Sequence, residues 1–416
     1  MKKSIILIAI VSIIALTCAC SNTKAKSDAG EELQTSQVEE QKHTRTLPDG
    51  AIAFDYVNHL YFDVIVQDSI PARMIFDTGN TNILLDTEFY KQYFAPSDNL
   101  QRIVIQGAGN SLQGAYKDVS DWRYTIGQHS HTEQGAIVMN LRNILGNEVD
   151  GMYGMEFMRG RKVEFNYTDE YMRILTQDEQ PSDRYTCVKC KWLDDRHSRM
   201  LLPISVKFDN KASFEGDFLV DMGSSTGILL NGNVAAQLNL KSVLINAKKM
   251  TYDTAGVGGA GTDYIFKAKS TSIAGVEIKN MRTSYSGNTK GSLVDNRYAG
   301  IVGNGLFERF DVIFDFNKCE IWLRPNENID TPTNHHSGTV LTPQEDCWVV
   351  NGLIEGGNAH KAGLKRGDTI ISINELSRKE IDSKKLKKLH SSAEAWTVVV
   401  KRGDSTAEIK FEKELM

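Results

Sequence analysis

From Asp49 onward, apolar and polar residues alternate with the two-residue period of half-buried strands. HLYFDVIV (59–66), a polar turn at Gln67-Asp68-Ser69 and ARMIF (72–76) predict a hairpin that delivers Asp77 to a loop. The loop lies within MIFDTGNTNILL, Met74–Leu85, where one apolar strand runs into Asp77-Thr78-Gly79 and a second apolar run follows. Aspartate then glycine between two buried strands holds a carboxylate on a tight turn, although a single Asp-Thr-Gly also reads as a side chain capping its own turn. Next come a short helix over Thr87–Phe94, the strand RIVIQ, a glycine-bearing turn at Gly107-Ala108-Gly109-Asn110, and a strand pair from Trp122 to Val138. Asp150-Gly151-Met152-Tyr153-Gly154-Met155-Glu156-Phe157 then precedes two strands, KVEFNY and YMRIL, that close the unit near Thr176.

The same order of parts recurs. MLLPISVKF, a turn at Asp209-Asn210 and DFLV lead into Asp221-Met222-Gly223, Val234–Leu238 supplies the short helix, and a second glycine turn runs from Gly256 to Gly261. SIAGVEI forms a hairpin arm, and AGIVGNGLF (299–307) precedes the closing strands DVIFDF and EIWLRP. Asp221 follows Asp77 by 144 residues and Gly303 follows Gly154 by 149, so the two copies differ only in loops (221 − 77; 303 − 154). An internal duplication outweighs either motif, because it turns one aspartate on a turn into a matched pair.

Composition changes the picture little. The 416 residues suit two to three domains, and 41% apolar with 24% charged residues is ordinary for globular protein. A net charge of −5 without a clustered basic face argues against a nucleic-acid partner. At the start, Met1-Lys2-Lys3 precedes IILIAIVSIIAL, a positive end and an apolar run too short to span a bilayer comfortably, which reads as a signal peptide over 1–20. Residues 21–48, rich in Ser, Thr, Lys, Glu and Gln, read as a flexible tether.

Metal and nucleotide chemistry find weak footing. Cys187 and Cys190 sit in YTCVKCKWL, a predicted strand in which positions three apart face opposite ways, and no second Cys pair completes a tetrahedral site. His129 and His131 share a strand face without a third ligand and read as exposed imidazoles on a hairpin. Gly256-Val257-Gly258-Gly259-Ala260-Gly261 is formally GxGxxG, yet the following TDYIFKAKSTSI has strand rather than helix character, against a dinucleotide site. The expectation is an exported protein without metal or cofactor.

Taken together, Asp-Thr-Gly in an apolar frame, a glycine-turn flap, an apolar-apolar-Gly segment and a closing strand pair resemble one lobe of an aspartic protease, most similar to the retroviral-type fold. The resemblance implies a mainly β chain with lobe 1 over 49–178 and lobe 2 over 179–327. It also implies that Asp77 and Asp221 meet between the lobes as the catalytic pair, acting on a peptide or unfolded protein. Thr78, Gly79, Gly223 and Ser224 would support the active-site loops, and Gly107, Gly109, Gly258 and Gly259 would form the flaps. Two carboxyl groups in contact cannot both ionise, so one keeps a proton while the other activates water. Lobe 2 departs from the pattern at Met222, where the family has a Thr or Ser that hydrogen-bonds across to the opposite loop. Half of that grip is then missing, with Ser224 or Ser225 as partial substitutes, and a pseudo-protease that binds peptides without cutting them stands as the alternative.

Two further resemblances concern the ends. LTCAC is similar to the lipobox of bacterial lipoproteins, with Cys20 as the lipidated residue and Cys18 as the other frame, and implies a membrane-anchored protein of the bacterial cell envelope, on its periplasmic face or the cell surface. After a linker over 328–338, Ala359-His360-Lys361-Ala362-Gly363-Leu364-Lys365-Arg366-Gly367-Asp368 resembles the AxxAGLxxGD signature of PDZ domains, which implies a peptide-binding domain over 339–416. Its groove helix would lie in Ile381–His390, with Lys384, Lys385, Lys387 and Lys388 on a solvated face.

Overall fold

The computed structural model describes residues 47–94, 98–194, 199–209, 212–254 and 256–416. The signal peptide, Cys18, Cys20 and the tether as far as residue 46 lie outside these residues. The described chain is mainly β, its helices short.

The duplication is carried down to strand register. In the first half, Ile70–Phe76 runs parallel to Gly151–Tyr153 with Phe76 opposite Tyr153. In the second, Ser213–Val220 runs parallel to Gly300–Val302 with Val220 opposite Val302. Leu84–Asp86 and Ile228–Leu230 each pair antiparallel to the same glycine-led strand of their own half. These three-residue strands are wholly buried, as short apolar runs covered on both faces should be.

Both expected closing strand pairs form, KVEFNY with YMRIL and DVIFDF with EIWLRP. They join in one six-stranded sheet, in the order Ile52–Ala53, Tyr171–Leu175, Lys162–Asn166, Phe310–Asp315, Glu320–Pro325, Thr186–Lys189. At its centre the two halves meet antiparallel, Lys162 opposite Asp315 and Asn166 opposite Asp311. Phe165 packs edge-on against Phe314 at 5.8 Å and stacks on Phe76 at 5.4 Å, so this bridging sheet ties the core directly to the strand that ends in Asp77.

Two local expectations are corrected. YTCVKCKWL is not one strand: Thr186–Lys189 pairs with Glu320–Pro325, whereas Lys191–Asp194 crosses to Arg199–Lys207 in another sheet, the chain turning at Cys190. The His129 and His131 pair is half-buried rather than exposed, because His131 packs edge-on against Tyr124 and Phe157.

Residues 339–416 have their own core around Trp348, Leu364, Ile370, Trp396 and Val398. Asp368 accepts from Lys365 N at 2.8 Å and from Arg402 Nε at 2.7 Å, and Gly363 and Gly367, at φ +101° and +81°, turn the chain around it. The segment is not set apart. Lys248–Tyr252, the outer strand of the second flap hairpin, pairs with Trp348–Ile354 and extends the sheet of the second half into this segment. The expected solvated face of helix Ser383–Ser391 is partly an interface: Lys384 pairs with Glu170, Lys387 with Glu308, and nearby Arg378 with Glu148. The linker is also held, since Arg309 donates to the carbonyls of Asn328, Ile329 and Thr331, and His335–His336 pairs with Glu414–Leu415.

Candidate active site

Both aspartates leave their strands by the same path. Asp77 N–H donates to Tyr153 O at 3.0 Å and Asp221 N–H to Val302 O at 2.9 Å, each anchored to the glycine-led strand behind it. Asn80 N–H then closes onto Asp77 O and Ser224 N–H onto Asp221 O, while Met155 N–H and Asn304 N–H bond back to Asn80 O and Ser224 O. These turns bring the Asp77 and Asp221 carboxyl groups into hydrogen-bonding contact at the junction of the halves.

The glycines are there because side chains would collide with the pair. A Cβ on Gly223 would lie 2.2 Å from Asp77 Cγ, and one on Gly79 would lie 3.1 Å from an oxygen of each carboxyl group. Gly79 N–H donates to Asp77 Oδ1 at 2.7 Å. Each aspartate remains only half-buried.

Loss of water raises the pKa of both carboxyls, but unequally. Asp77 is raised by burial against the pull of backbone N–H groups at Gly79, Gly223 and Asn80 and of its hydrogen bond with Asp221. Asp221 is pushed up well above the carboxylate range by burial and then by the charge of Asp77, with backbone donors at Gly223 and Ser224 opposing. The pair therefore holds one proton between two oxygens while the second charge is stabilised by the loops.

Thr78, 2% exposed, supplies the cross-lobe contact from the first half: its hydroxyl donates to Val220 O at 2.8 Å and accepts from Met222 N–H at 2.9 Å. Met222, fully buried, returns nothing equivalent from its side chain. The expected substitution by serine is not made. Ser224 Oγ bonds to the hydroxyl and N–H of Thr226, so it supports its own loop and does not reach the opposite one, and Ser225 is exposed.

The two glycine turns meet tip to tip. Gly109 N–H donates to Val257 O, Ser111 N–H to Gly258 O and Asn110 N–H to Ala260 O, at 3.0, 2.8 and 3.2 Å. A Cβ on Gly109 would come within 2.2 Å of Gly258 O, and Gly258 and Gly259 adopt φ of +108° and +76°. Asn288 and Gly291 extend the seal from lobe 2, through Asn288 Nδ2 to Ala108 O and the close packing of Gly291 on Gly109 O.

Two residues escaped the sequence reading. His59, first residue of its strand, sits beside Gly223, with Nδ1 enclosed and without a partner. Burial pushes its ring down to about 4, against a backbone hydrogen bond at Gly223, so it is neutral over most of the pH range. Asn304, after Gly303, is fully buried at the lobe junction. No sequence signal marks His59. Asn304 could have been noticed as the polar residue standing where lobe 1 has Met155. Among the described residues, no group of three or more His, Cys, Asp or Glu is arranged to hold a metal ion.

Residues 62–157, which include the Asp77 loop, the first flap and Gly154, match the family model described as aspartyl protease. Among solved structures the chain is similar to the aspartic proteinase from Irpex lacteus, at 13% identity and a TM-score of 0.43, over 68% of this chain and 98% of that one. A search of the curated proteins finds no match.

Proposed function

We propose that the protein is an aspartic endopeptidase. The observation that carries this reading is the contact between the Asp77 and Asp221 carboxyl groups, fed by backbone donors. In the reaction, the ionised carboxylate takes a proton from a water held between the pair, and the water oxygen bonds to the amide carbon. The protonated partner gives its proton to the carbonyl oxygen. Collapse then breaks the C–N bond, with a proton passing to the leaving amine. The shared proton is retained above the usual carboxylate range, so activity extends from acid toward neutral pH and falls once that proton is lost.

The reading extends to both ends of the chain. The residues of 1–20 support export and lipidation at Cys20 on the bacterial envelope. The sheet, the helix Ser383–Ser391 and the turn around Asp368 support a PDZ domain that takes an extended peptide. A peptide-binding scaffold without hydrolysis is the second reading, favoured by the missing hydroxyl at Met222.

Incubating purified protein with a labelled unfolded polypeptide, from about pH 3 to pH 8, tests the proposal. Cleavage is expected, with a loss of roughly 10³-fold or more in Asp77→Asn and in Asp221→Asn and unchanged circular dichroism. Saturable peptide binding with no cleavage at any pH would favour the scaffold.

A further inference from the structure

We propose that Asn304 is a positioning residue, clamping the Asp221 loop across the lobe junction where Met222 has no hydroxyl to offer. Three hydrogen bonds define the clamp. Asn304 Nδ2 donates to Met222 O at 2.6 Å, inside the loop, and to Asn58 O at 3.2 Å, on lobe 1. Its Oδ1 accepts from the Tyr167 hydroxyl, also lobe 1, at 2.8 Å.

Each anchor is itself fixed. Asn58 turns the hairpin between Asp55–Val57 and His59–Val66 at φ +63°, which presents its carbonyl outward from the strands. Tyr167 is buried and packs edge-on against Tyr56 at 5.0 Å, and the Tyr56 hydroxyl donates to Glu308 at 2.8 Å, one helical turn beyond Asn304. The amide group of Asn304 thus has both donors and its oxygen engaged, as a buried amide requires. A hydrophobic residue there, as Met155 is in lobe 1, would leave the Met222 carbonyl and the Tyr167 hydroxyl without these partners.

The duplication explains why the clamp is needed on one side only. Lobe 1 has its hydroxyl on the loop, at Thr78, and methionine after the glycine, at Met155; lobe 2 has methionine on the loop and its polar side chain after the glycine. Thr78 fastens Val220 O and Met222 N–H, and Asn304 takes the remaining Met222 carbonyl. Among the described residues the Thr78 N–H has no acceptor, which is the place a hydroxyl at position 222 would fill by symmetry.

The clamp rests on the proteolytic reading only for its kinetic readout; amide exchange tests it without that reading. In Asn304→Leu, deuterium exchange of amides 220–226 should rise roughly tenfold while that of 310–315 holds, and kcat should fall by a similar factor with KM nearly unchanged. Adding Met222→Thr to Asn304→Leu should recover most of both, a rescue that a merely space-filling asparagine would not allow. Tyr167→Phe, which removes only the anchoring hydroxyl, should shift loop exchange the same way by a smaller factor and serves if Asn304→Leu does not fold. Unchanged exchange over 220–226 in Tyr167→Phe or Asn304→Leu, or no recovery with Met222→Thr, overturns the clamp. Wild-type protein that cleaves nothing counts against the proteolytic reading alone, and the exchange data then decide on Asn304.

Discussion

Lobe 1 and lobe 2 trace the same path through the aspartate loop but fasten it with different side chains, and the first helix of each shows the same divergence. In lobe 1 the buried Asp86 carboxylate accepts from the N–H groups of Glu88, Phe89, Leu141 and Arg142, with the Arg142 guanidinium 3.5 Å away. In lobe 2 the corresponding Asn231, fully buried, turns its amide the other way and donates to the carbonyls of Asp295 and Tyr298 at 2.9 and 3.0 Å. After duplication, backbone geometry was retained where glycine and apolar packing demand it. The polar fastenings became specific to each half.

Exchanging those fastenings is the most severe way to break the comparison. Asn231→Asp would aim a buried carboxylate at two carbonyl oxygens and should cost about 3–5 kcal/mol, read as a lower urea midpoint. The reciprocal Asp86→Asn keeps an acceptor and should cost about 1–3 kcal/mol.

Thr78→Val comes next. It removes two buried hydrogen bonds that the Thr78 hydroxyl makes across the junction, so a loss of about 2–3 kcal/mol is expected, with turnover reduced roughly 10- to 100-fold. Met222→Leu, which leaves every fastening in place, should stay within about 1.5 kcal/mol. Equal losses in the two variants would mean the loops are not fastened asymmetrically.

In the flaps, Gly109→Ala should keep the tips apart and lower kcat/KM by a factor equivalent to about 1–2 kcal/mol. Gly114→Ala is the control, since nothing lies within 4 Å of a Cβ there.

The smallest effect is a slope. Asp263, on the second flap hairpin, is hydrogen-bonded with Tyr252 and pushed up to about 7 by burial; the same register position in the first flap hairpin is Ala115. The folded chain holds this proton where the unfolded chain, near 3.8, has released it. The associated stability is therefore full below about pH 4 and lost as pH rises through about 7. Asp263→Asn should gain on wild type steadily over that window, measured as a difference in unfolding midpoint at acid and mildly alkaline pH. Histidines pushed downward, such as His59, give the opposite slope but cancel in the difference.

How much of this was legible follows from how local each feature is. The paired aspartates, their glycines and the two flap turns stand in short frames of apolar strand and glycine, and repetition made them visible. The bridging sheet was not legible, because Lys162–Asn166 and Phe310–Asp315 each read as one arm of a local pair, and only the folded halves show that each has a second edge for the other. Asn304 looked like part of a glycine turn since its partners, Asn58 and Tyr167, lie 246 and 137 residues away. What holds the linker was hidden for a similar reason: the guanidinium that fastens it, Arg309, belongs to the preceding lobe.

The ladder between Lys248–Tyr252 and Trp348–Ile354 also bears on how the protein would fail. Cleavage near residue 338 would uncover a strand rim at Met250–Tyr252, together with the apolar side chains of Met250 and Ile265 that Ile354 now covers. A bare rim of that kind recruits strands from neighbouring molecules, so the trimmed protein should self-associate through its second flap.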